Sequence, residues 1–405
     1  MKNFLLIISF FLVLQNGHSQ WIQQQSNAGS SLLNDIRFIN KKTGWCVGDS
    51  PGVILKTTDG GANWIQQSNP LPDRTLTCVF PVDSEYVYAA GYGQTVLKTT
   101  NGGTNWLVIQ SGTAISYYTG LFFANRDRGW IAANDRILLT ANGGFSFDTL
   151  RTTYGAWDIY FRNEFEGVAS AGLKIYYTSN AGVFWDTSVT QRFGPNFKYF
   201  SFINQDTGFV STYSGDIFRT TNFGLTWDSI PKPPESLSTI RFINNKTGWT
   251  GGEFGHLYKT TNGGINWVFQ NLSQFNLFRI NHIHAYNDSL LWMSCNIGKI
   301  LNTTNGGTSG IMNLGTVAKS FSLYQNFPNP FNPVTEIRFD LQKTGFVFLK
   351  VFDILGKEIG VLINEKMIAG SYSYKFNGSN LSSGTYFYRI ESNEFRETKK
   401  MTLIK

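Results

Sequence analysis

Two acidic side chains could carry out acid–base chemistry because they occupy the same position in different copies of an internal repeat. Asp35 and Asp158 each lie at the start of a predicted strand. Two carboxyl groups about 6.5–9.5 Å apart are what an inverting glycosidase needs to activate water and protonate the leaving group. Because the repeat would place these strands on nearly opposite sides of a ring, we expect both acids to be strand-end or turn residues, and catalysis by them is the alternative hypothesis.

Two histidines are candidates for binding a metal. His282 and His284 lie two residues apart on a predicted strand, so their side chains share one face, and imidazole is a common zinc ligand. That strand has no Cys, Asp or Glu to complete a ligand set, and His284 falls where other copies of the repeat carry Phe. We therefore predict packing roles for both histidines, with no metal and no cofactor.

Three arginines could bind an anionic ligand. Arg37 and Arg241 lie at equivalent positions of two predicted first strands, and Arg162 lies near the corresponding place in the fourth copy of the repeat. If the copies surround an axis, Arg37, Arg241, Tyr160 and His282 would lie near its mouth, where converging loops usually form ligand sites. These four are targets for mutation and are not assigned as site residues.

The elements that must position these residues are defined by a repeat of about 41 residues. The segment Thr57–Trp64, TTDGGANW, is followed by six related segments. Each copy follows three short stretches of strand-type residues and precedes a fourth. Four antiparallel strands in each unit are typical of a propeller blade. The six related segments begin at Thr99, Thr140, Thr178, Thr220, Thr260 and Thr303.

Each of these seven segments, called boxes below, has the residue types of a tight hairpin turn. Its glycine can adopt a positive φ, its Asp or Asn can hydrogen-bond the backbone of the turn, and its terminal Trp can anchor the turn on the blade. The third residue of each box is an acid or an amide, and only Asp59 among these seven residues is charged. We therefore expect no calcium in these turns. The predicted structural residues are Thr57, Asp59, Gly61, Trp64, Asn101, Gly103, Trp106, Asn142, Gly144, Asn180, Gly182, Trp185, Asn222, Gly224, Trp227, Asn262, Gly264, Trp267, Asn305 and Gly307.

These boxes resemble the Asp-box (BNR) repeat shared by sialidases, sortilin-like receptors and photosystem II assembly factor-like propellers. The resemblance implies a seven-bladed β-propeller, which we place at residues 20–310. The last copy lacks an outer strand, and the segment 21–25 is similar to Trp64–Gln67, so we expect residues 21–25 to complete the seventh blade. Sialidases bind a carboxylate with three arginines, but no arginine motif of that kind precedes the first box.

A different pattern follows the last box. The proline-rich segment Asn326–Pro333 indicates a domain boundary, and residues 311–322 are expected to be a linker. The alternating strand-type segments beyond it predict a small immunoglobulin-like β-sandwich over residues 323–405.

This segment resembles the type A sorting domain of the type IX secretion system. The resemblance lies in YQNFPNPFNP from Tyr324, VFDILG from Val351, SGTY from Ser383 and the ending KKMTLIK. It implies recognition by the type IX machinery and passage through the periplasm and across an outer membrane. At the other end, Lys2 and the apolar segment Phe4–Leu14 predict a signal peptide over residues 1–19, with no transmembrane segment left after its removal.

The composition limits the remaining classes of function. Aromatic residues make up 16% of the chain, charged residues make up 15%, and there are 41 glycines, which favours many short strands. The net charge of +7 includes no basic run, so nucleic acid is not an expected partner. Cys46, Cys78 and Cys295 are predicted to be buried thiols, and a bridge between Cys46 and Cys295 is left open.

These observations predict an all-β protein, a seven-bladed β-propeller followed by a small immunoglobulin-like β-sandwich. We expect it to be secreted or held at the outer cell surface. There it would act as a non-catalytic binding or scaffolding protein for an extracellular protein or glycan. The alternative is an extracellular glycan-active hydrolase, sialidase-like or another glycosidase, on the same propeller. The sequence leaves open the ligand, the removal of the tail, release or attachment, and the oligomeric state.

Overall fold

Strands form almost all of the regular structure described by the computed structural model of this protein, with one short 3-10 turn at Ser273–Phe275. The described residues are 21–49, 51–112, 116–150, 155–190, 196–307, 311–314, 318–367, 369–378, 381–392 and 395–405. The signal peptide predicted over residues 1–19 lies outside them. Within these ranges, no helix is long and apolar enough to cross a membrane. The chain divides into two compact units, Trp21–Gly307 and the segment that follows it.

The first unit contains seven sheets whose strands follow one another in sequence. The first two sheets are β2 (Leu33–Phe38), β3 (Gly44–Gly48), β4 (Ile54–Thr57) and β5 (Ile65–Gln66), then β6 (Leu76–Pro81), β7 (Val87–Gly91), β8 (Thr95–Thr99) and β9 (Leu107–Gln110). The third and fourth are β10 (Tyr118–Phe123), β11 (Gly129–Ala133), β12 (Ile137–Thr140) and β13 (Asp148–Leu150), then β14 (Asp158–Phe161), β15 (Gly167–Ala171), β16 (Lys174–Thr178) and β17 (Asp186–Thr187).

The remaining three sheets have the same order, with one addition in the fifth and one substitution in the seventh. The fifth is β19 (Phe197–Phe202), β20 (Gly208–Thr212), β21 (Ile217–Thr220) and β22 (Thr226–Ile230), with β18 (Val189–Thr190) parallel to β22. The sixth is β23 (Leu237–Phe242), β24 (Gly248–Gly252), β25 (Leu257–Thr260) and β26 (Val268–Gln270). The seventh is β27 (Ile280–Ala285), β28 (Leu291–Cys295), β29 (Ile300–Thr303) and β1 (Trp21–Gln24).

The first strands of the seven sheets surround a common axis. Each contacts the first strand of the next sheet, from β2 through β6, β10, β14, β19 and β23 to β27, and β27 contacts β2. The sheets therefore form a closed ring of seven blades, the architecture of a β-propeller.

The N-terminal strand β1 supplies the outer strand of the seventh blade. It pairs antiparallel with β29, with Trp21 opposite Thr303, and the Trp21 side chain is only 4% exposed. The Gln24 side chain donates to the Gly60 carbonyl oxygen and accepts from the Trp64 indole, each at 3.0 Å. The first and last parts of the ring are thus joined both by a strand pair and by side-chain hydrogen bonds.

The boxes are stabilised within each turn and also connect neighbouring blades. In all seven, a threonine hydroxyl accepts the N–H of the glycine four residues later, as Thr57 does from Gly61 at 2.8 Å. The indole N–H of Trp292, in the seventh blade, donates to the Gly60 carbonyl oxygen of the first blade at 2.9 Å. Trp249 donates to Gly306 in the same way, at 3.1 Å. Each such turn is therefore part of an interface between blades.

The second unit consists of two four-stranded sheets. Apolar side chains alternate along the strands and form one core, which includes Ile337, Phe339, Leu349 and Tyr388. The strands of one sheet are β31 (Ser322–Leu323), β32 (Val334–Leu341), β35 (Gly370–Asn377) and β30 (Ile311–Asn313). The strands of the other are β34 (Glu358–Met367), β33 (Gly345–Phe352), β36 (Gly384–Ser392) and β37 (Phe395–Leu403).

The segment expected to be a linker, residues 311–322, is only partly one. Ile311–Asn313 pairs antiparallel with β35, and Ser322 pairs with Asp340 in β32. A short edge strand is held mainly by backbone hydrogen bonds, which need no particular side-chain pattern, so the sequence carried little signal for it.

The three cysteines are all free and buried. The bridge that the sequence left open between Cys46 and Cys295 is therefore not formed. Burial raises the pKa of each of the three thiols well above its ordinary value, so these groups remain neutral and unreactive at physiological pH.

Candidate functional site

The register of the first strands decides which side chains reach the axis at the same level. Asp35 lies opposite Val47 and Asp158 opposite Ser170, which are equivalent positions of the first and fourth blades. Arg37 and Arg241 are likewise equivalent, because each lies opposite a tryptophan of the second strand.

His284 lies at the register of these arginines and not at the register of the phenylalanines, which corrects the expectation from the sequence. It lies opposite Trp292, and Ala285 occupies the place of Phe38 in the first blade. The reason is that two residues facing each other on the first and second strands of the seventh blade differ together from those of the first blade. In the first blade a Cβ on Gly44 would lie 2.6 Å from the Phe38 ring, whereas the seventh blade has Leu291 at the glycine position and therefore has the small Ala285 opposite it.

The Asp35 carboxylate contacts polar groups of three blades. It accepts from Arg37 Nε at 3.1 Å, from the Val79 N–H of the second blade at 3.0 Å, and lies 3.0 Å from His282 Nδ1 of the seventh blade. Burial by itself would raise the pKa of Asp35, but Arg37, His282 and the Val79 N–H together hold it well below its usual range. Asp35 is thus ionised and connects three blades.

His282 is a neutral hydrogen-bond donor in this arrangement. Burial lowers its pKa, an effect that the Asp35 carboxylate only partly offsets. Its Nδ1 lies near two acceptors, the Asp35 carboxylate and the Ile36 carbonyl oxygen at 3.1 Å, so Nδ1 carries the hydrogen. Among the described residues, no group of three or more His, Cys, Asp or Glu is arranged to hold a metal ion.

The Asp158 carboxylate has the same structural role in a different electrostatic setting. Its Oδ2 accepts the Phe200 N–H of the fifth blade at 2.8 Å and its Oδ1 accepts the Ile159 N–H at 2.9 Å. It forms no ion pair with any residue in the described ranges. Burial raises its pKa to about 6, although these two hydrogen bonds and the charge of Arg37 act in the opposite direction.

The Asp35 and Asp158 carboxylates act on each other electrostatically although they belong to the first and fourth blades. Both interact electrostatically with Arg37, and the charge of Asp35 contributes to the raised pKa of Asp158. The first strands of distant blades converge on the axis, which brings their side chains within electrostatic range of one another.

The raised pKa of Asp158 predicts an unusual effect of Asp158→Asn. The folded-state pKa of about 6 exceeds the ordinary value of 3.8, so the folded wild-type protein binds more protons than the unfolded one between these values and loses stability as the pH rises. The amide retains an oxygen that can accept the Phe200 N–H, while its NH2 group replaces the oxygen that accepts the Ile159 N–H, so the expected gain is smaller than the pKa shift alone would give. We expect the variant to be more stable than wild type by about 1–2 kcal/mol at pH 8, with the difference vanishing near pH 4. Thermal melts at both pH values test this, and a variant less stable than wild type at pH 8 would contradict it.

A cleft of about 470 Å³ lies at one end of the axis. Tyr199, which forms part of its lining, has its ring 6.4 Å from that of His282, so the cleft lies next to the buried charges. Its wall is rich in aromatic rings together with hydroxyl and amide side chains. The aromatic lining residues are Tyr92, Tyr117, Trp157, Tyr199 and Tyr213.

Two cations also line this cleft. Lys198 is 6% exposed, and its Nζ lies 4.1 Å from the centre of the Trp157 ring and 4.8 Å from that of Tyr213. Burial, together with the positive charge of Arg279, lowers the pKa of Lys198 to about 8, although the Glu253 carboxylate acts in the opposite direction. Arg279 Nε lies 3.3 Å from a Glu253 carboxylate oxygen.

The residues proposed from the sequence as targets lie deeper in the ring. None of Arg37, Arg241, Tyr160 and His282 lines the cleft. Tyr160 is packed flat on Phe202, with ring centres 4.4 Å apart, and burial lowers the pKa of Arg241 to about 10.

The cleft is formed instead by residues at a β-bulge that recurs in the first strands. The pairing shifts by one residue between Leu33 and Asp35, and equivalent shifts occur in most of the other blades. A bulge turns a side chain out of the regular alternation and is common beside binding sites. The side chains at or next to these shifts that line the cleft are Asn34, Thr77, Thr119, Lys198, Tyr199 and Asn281. The only sequence signal was a position that varies among polar residues from copy to copy.

Comparisons with known proteins agree with both units. Residues 325–405 match the family described as the secretion system C-terminal sorting domain, and residues 13–115 match the photosynthesis system II assembly factor YCF48 family. None of the curated protein sequences gives a significant match.

Several solved structures share the propeller. A structure of YCF48 bound to a D1 peptide is 17% identical, with a TM-score of 0.60 over 71% of this chain and 98% of that chain. YCF48 from Cyanidioschyzon merolae is also 17% identical, with a TM-score of 0.56 over 70% and 98%. The WD40 propeller domain of Doa1 is 10% identical, with a TM-score of 0.56 over 71% and 96%. Identities this low show the fold alone.

Fold and family matches together define a class, the β-propeller proteins that carry a C-terminal sorting domain for type IX secretion. Within that class, this chain has an Asp-box propeller similar to YCF48. The sorting domain indicates export to the cell surface or the medium and recognition by the type IX machinery.

Proposed function

We propose that this chain is an exported, non-catalytic binding protein whose ligand occupies the cleft at the end of the propeller axis. The observation that carries the proposal is the wall of this cleft, where aromatic rings surround a buried lysine. A concave site with aromatic walls and a few polar groups is typical of ligand binding. Its volume of about 470 Å³ is within the usual range of roughly 300–1,000 Å³ for such sites.

The carboxylates beside the cleft support binding more than catalysis. Asp35 is bonded to Arg37 and to the Val79 N–H, and both oxygens of Asp158 accept backbone N–H groups. Each acid therefore connects the first strand of its own blade to that of the next. A general acid or base must be within hydrogen-bond reach of its substrate, and these hydrogen bonds occupy the oxygens that would do so.

A glycan-active hydrolase is the second candidate, and one observation favours it. The pKa of Asp158 is raised while that of Asp35 is lowered, and two carboxyl groups with pKa values shifted in opposite directions are the usual arrangement for an acid and a base in glycosidases. The similar propeller solved with a bound peptide supports binding as a use of this fold.

The test measures binding and turnover with the same protein. The mature chain is applied to arrays of glycans and of peptides, and every glycan that binds is also assayed for hydrolysis. We expect Trp157→Ala to weaken binding by about 5- to 150-fold, since stacking on one aromatic residue contributes about 1–3 kcal/mol. Phe145→Ala is the matched control, because Phe145 is 87% exposed and does not line the cleft. Turnover that disappears in Asp158→Asn would replace the binding proposal with the hydrolase.

A further inference from the structure

The cleft contains a buried positive charge without a negative partner. Among the described residues, no carboxylate forms an ion pair with the Lys198 ammonium, which is held between the rings of Trp157 and Tyr213. The second cation of the cleft, Arg279, is paired with Glu253, whose charge also acts on Lys198, so Lys198 is the cation without an ion-pair partner. Burying an ammonium group without a counter-charge is unfavourable, so an anionic group of a ligand would stabilise this wall.

The aromatic rings around Lys198 offer flat apolar surface to a ligand. Tyr213 is 65% exposed and Tyr92 is 47% exposed, so part of each ring is open to contact by a ligand. Tyr92 and Tyr117 are stacked on each other with their centres 4.9 Å apart, so their orientation is preset. Aromatic rings that combine an apolar face with a hydroxyl suit a ligand that is partly apolar and partly polar.

Two asparagine amides and a threonine hydroxyl of the cleft donate hydrogen bonds within the protein. The Asn34 amide donates to the Leu76 carbonyl oxygen, and the Asn281 amide donates to that of Leu33, each at 2.8 Å. The Thr77 hydroxyl donates to the neighbouring blade as well. These bonds close the ring, and they leave the amide oxygens of Asn34 and Asn281 as acceptors.

A ligand with hydrogen-bond donors and one anionic group would match these acceptors and Lys198. Acceptor capacity remains at Asn34, at Asn281 and at Asp49, whose Oδ1 already accepts the Leu32 N–H at 2.6 Å. The hydroxyls of the lining tyrosines and the Trp157 indole N–H can also donate, so a ligand whose groups both donate and accept suits this cleft. Sugar hydroxyls can all act as donors, and the C–H face of a sugar ring is apolar.

Building on the proposed function, we propose that the cleft binds an acidic carbohydrate. Lys198, with Arg279, binds the carboxylate of a uronic acid residue, and a sugar ring packs on Trp157 or Tyr213. The acceptors of the first and seventh blades, Asn34 and Asn281, bind its hydroxyl groups.

The test compares sugars that differ only in charge. Trisaccharides of galacturonic, glucuronic and mannuronic acid, each with its neutral methyl ester, are titrated into the mature full-length chain by calorimetry. We expect at least one acid to bind at least about tenfold more tightly than its ester, because a charged hydrogen bond contributes about 1.5–3 kcal/mol. Lys198→Met should abolish this difference, since it removes the charge and keeps an unbranched side chain of similar length.

Lys259→Met is the matched control, and other probes separate the possible failures. Lys259 is also buried beside an indole, 5.1 Å from the centre of the Trp249 ring, but it does not line the cleft, so its variant should retain the preference for the acid. If the esters bind as tightly as the acids, the acidic-sugar assignment is overturned while the cleft remains a binding site. The same conclusion follows if only peptides that end in a carboxylate bind and Trp157→Ala removes that binding. If no sugar and no peptide binds, both proposals are overturned.

Discussion

Removing residues 21–25 from the mature chain is expected to lower its melting temperature by more than about 10 °C. The deletion removes the strand paired with β29 and empties the site of the buried Trp21. Loss of a buried tryptophan alone costs about 3–5 kcal/mol. The deletion also breaks the bonds of Gln24 to Gly60 and Trp64, so the first and seventh blades lose a connection, and β29 becomes an exposed edge.

Tryptophan fluorescence measures this effect in the propeller alone, because all eleven tryptophans precede residue 308. Ile22→Thr is the control, since Ile22 lies on the same strand and is exposed; we expect it to change the melting temperature by no more than about 2 °C. Trp21→Ala should give an intermediate decrease. An unchanged melting temperature after the deletion would show that β1 does not hold the ring closed.

Asp35→Asn is expected to destabilise the protein by about 3 kcal/mol at pH 7, which corresponds to about 6–12 °C in melting temperature. The amide can still accept the Val79 N–H, but it removes the negative charge that Arg37 and His282 contact. Arg37 is then left in the ring without its ion-pair partner, and breaking a buried pair from one side is strongly unfavourable.

The pH dependence of this effect has a definite sign. Because the folded-state pKa of Asp35 is lowered, its contribution to stability is present above the ordinary pKa of an aspartate and is lost as the pH falls through the folded value. The difference between wild type and variant should therefore shrink in acid. Asp158→Asn, at the same register of the fourth blade, is the matched control and should stabilise at pH 8. Equal destabilisation by both variants would show that the ion pair with Arg37 is not the cause.

The boxes could be predicted from the sequence because their interactions are local. The Thr57 hydroxyl accepts from Gly61 only four residues away, so the residues that form each turn stand together in the sequence and recur with it. The pairing of Phe38 with Gly44 is also local, because the two residues are opposite each other on adjacent strands. The C-terminal motifs identified the sorting domain for the same reason.

The cleft could not be predicted in this way because it is formed by residues from many blades. Lys198 and Arg279 are about 80 residues apart in the sequence, and both reach the cleft only after the ring has closed. The bulge that turns Asn34 and its equivalents toward the axis depends on strand register, which a repeat pattern does not show. His284 was assigned to the wrong register because the exchange of Phe and Gly for Ala285 and Leu291 is visible only when the two strands are paired.

The amino-acid sequence by itself determined the repeating blade and the sorting domain, since both depend on contacts between residues close together along the chain. Only the tertiary structure decided which side chains share the axis and what charge each carries. Closing the ring brings Asp35, Arg37, Asp158 and His282 from three blades into one electrostatic environment. Their pKa values depend on burial and on the charges of the neighbouring groups, and both of these effects arise only when the blades come together.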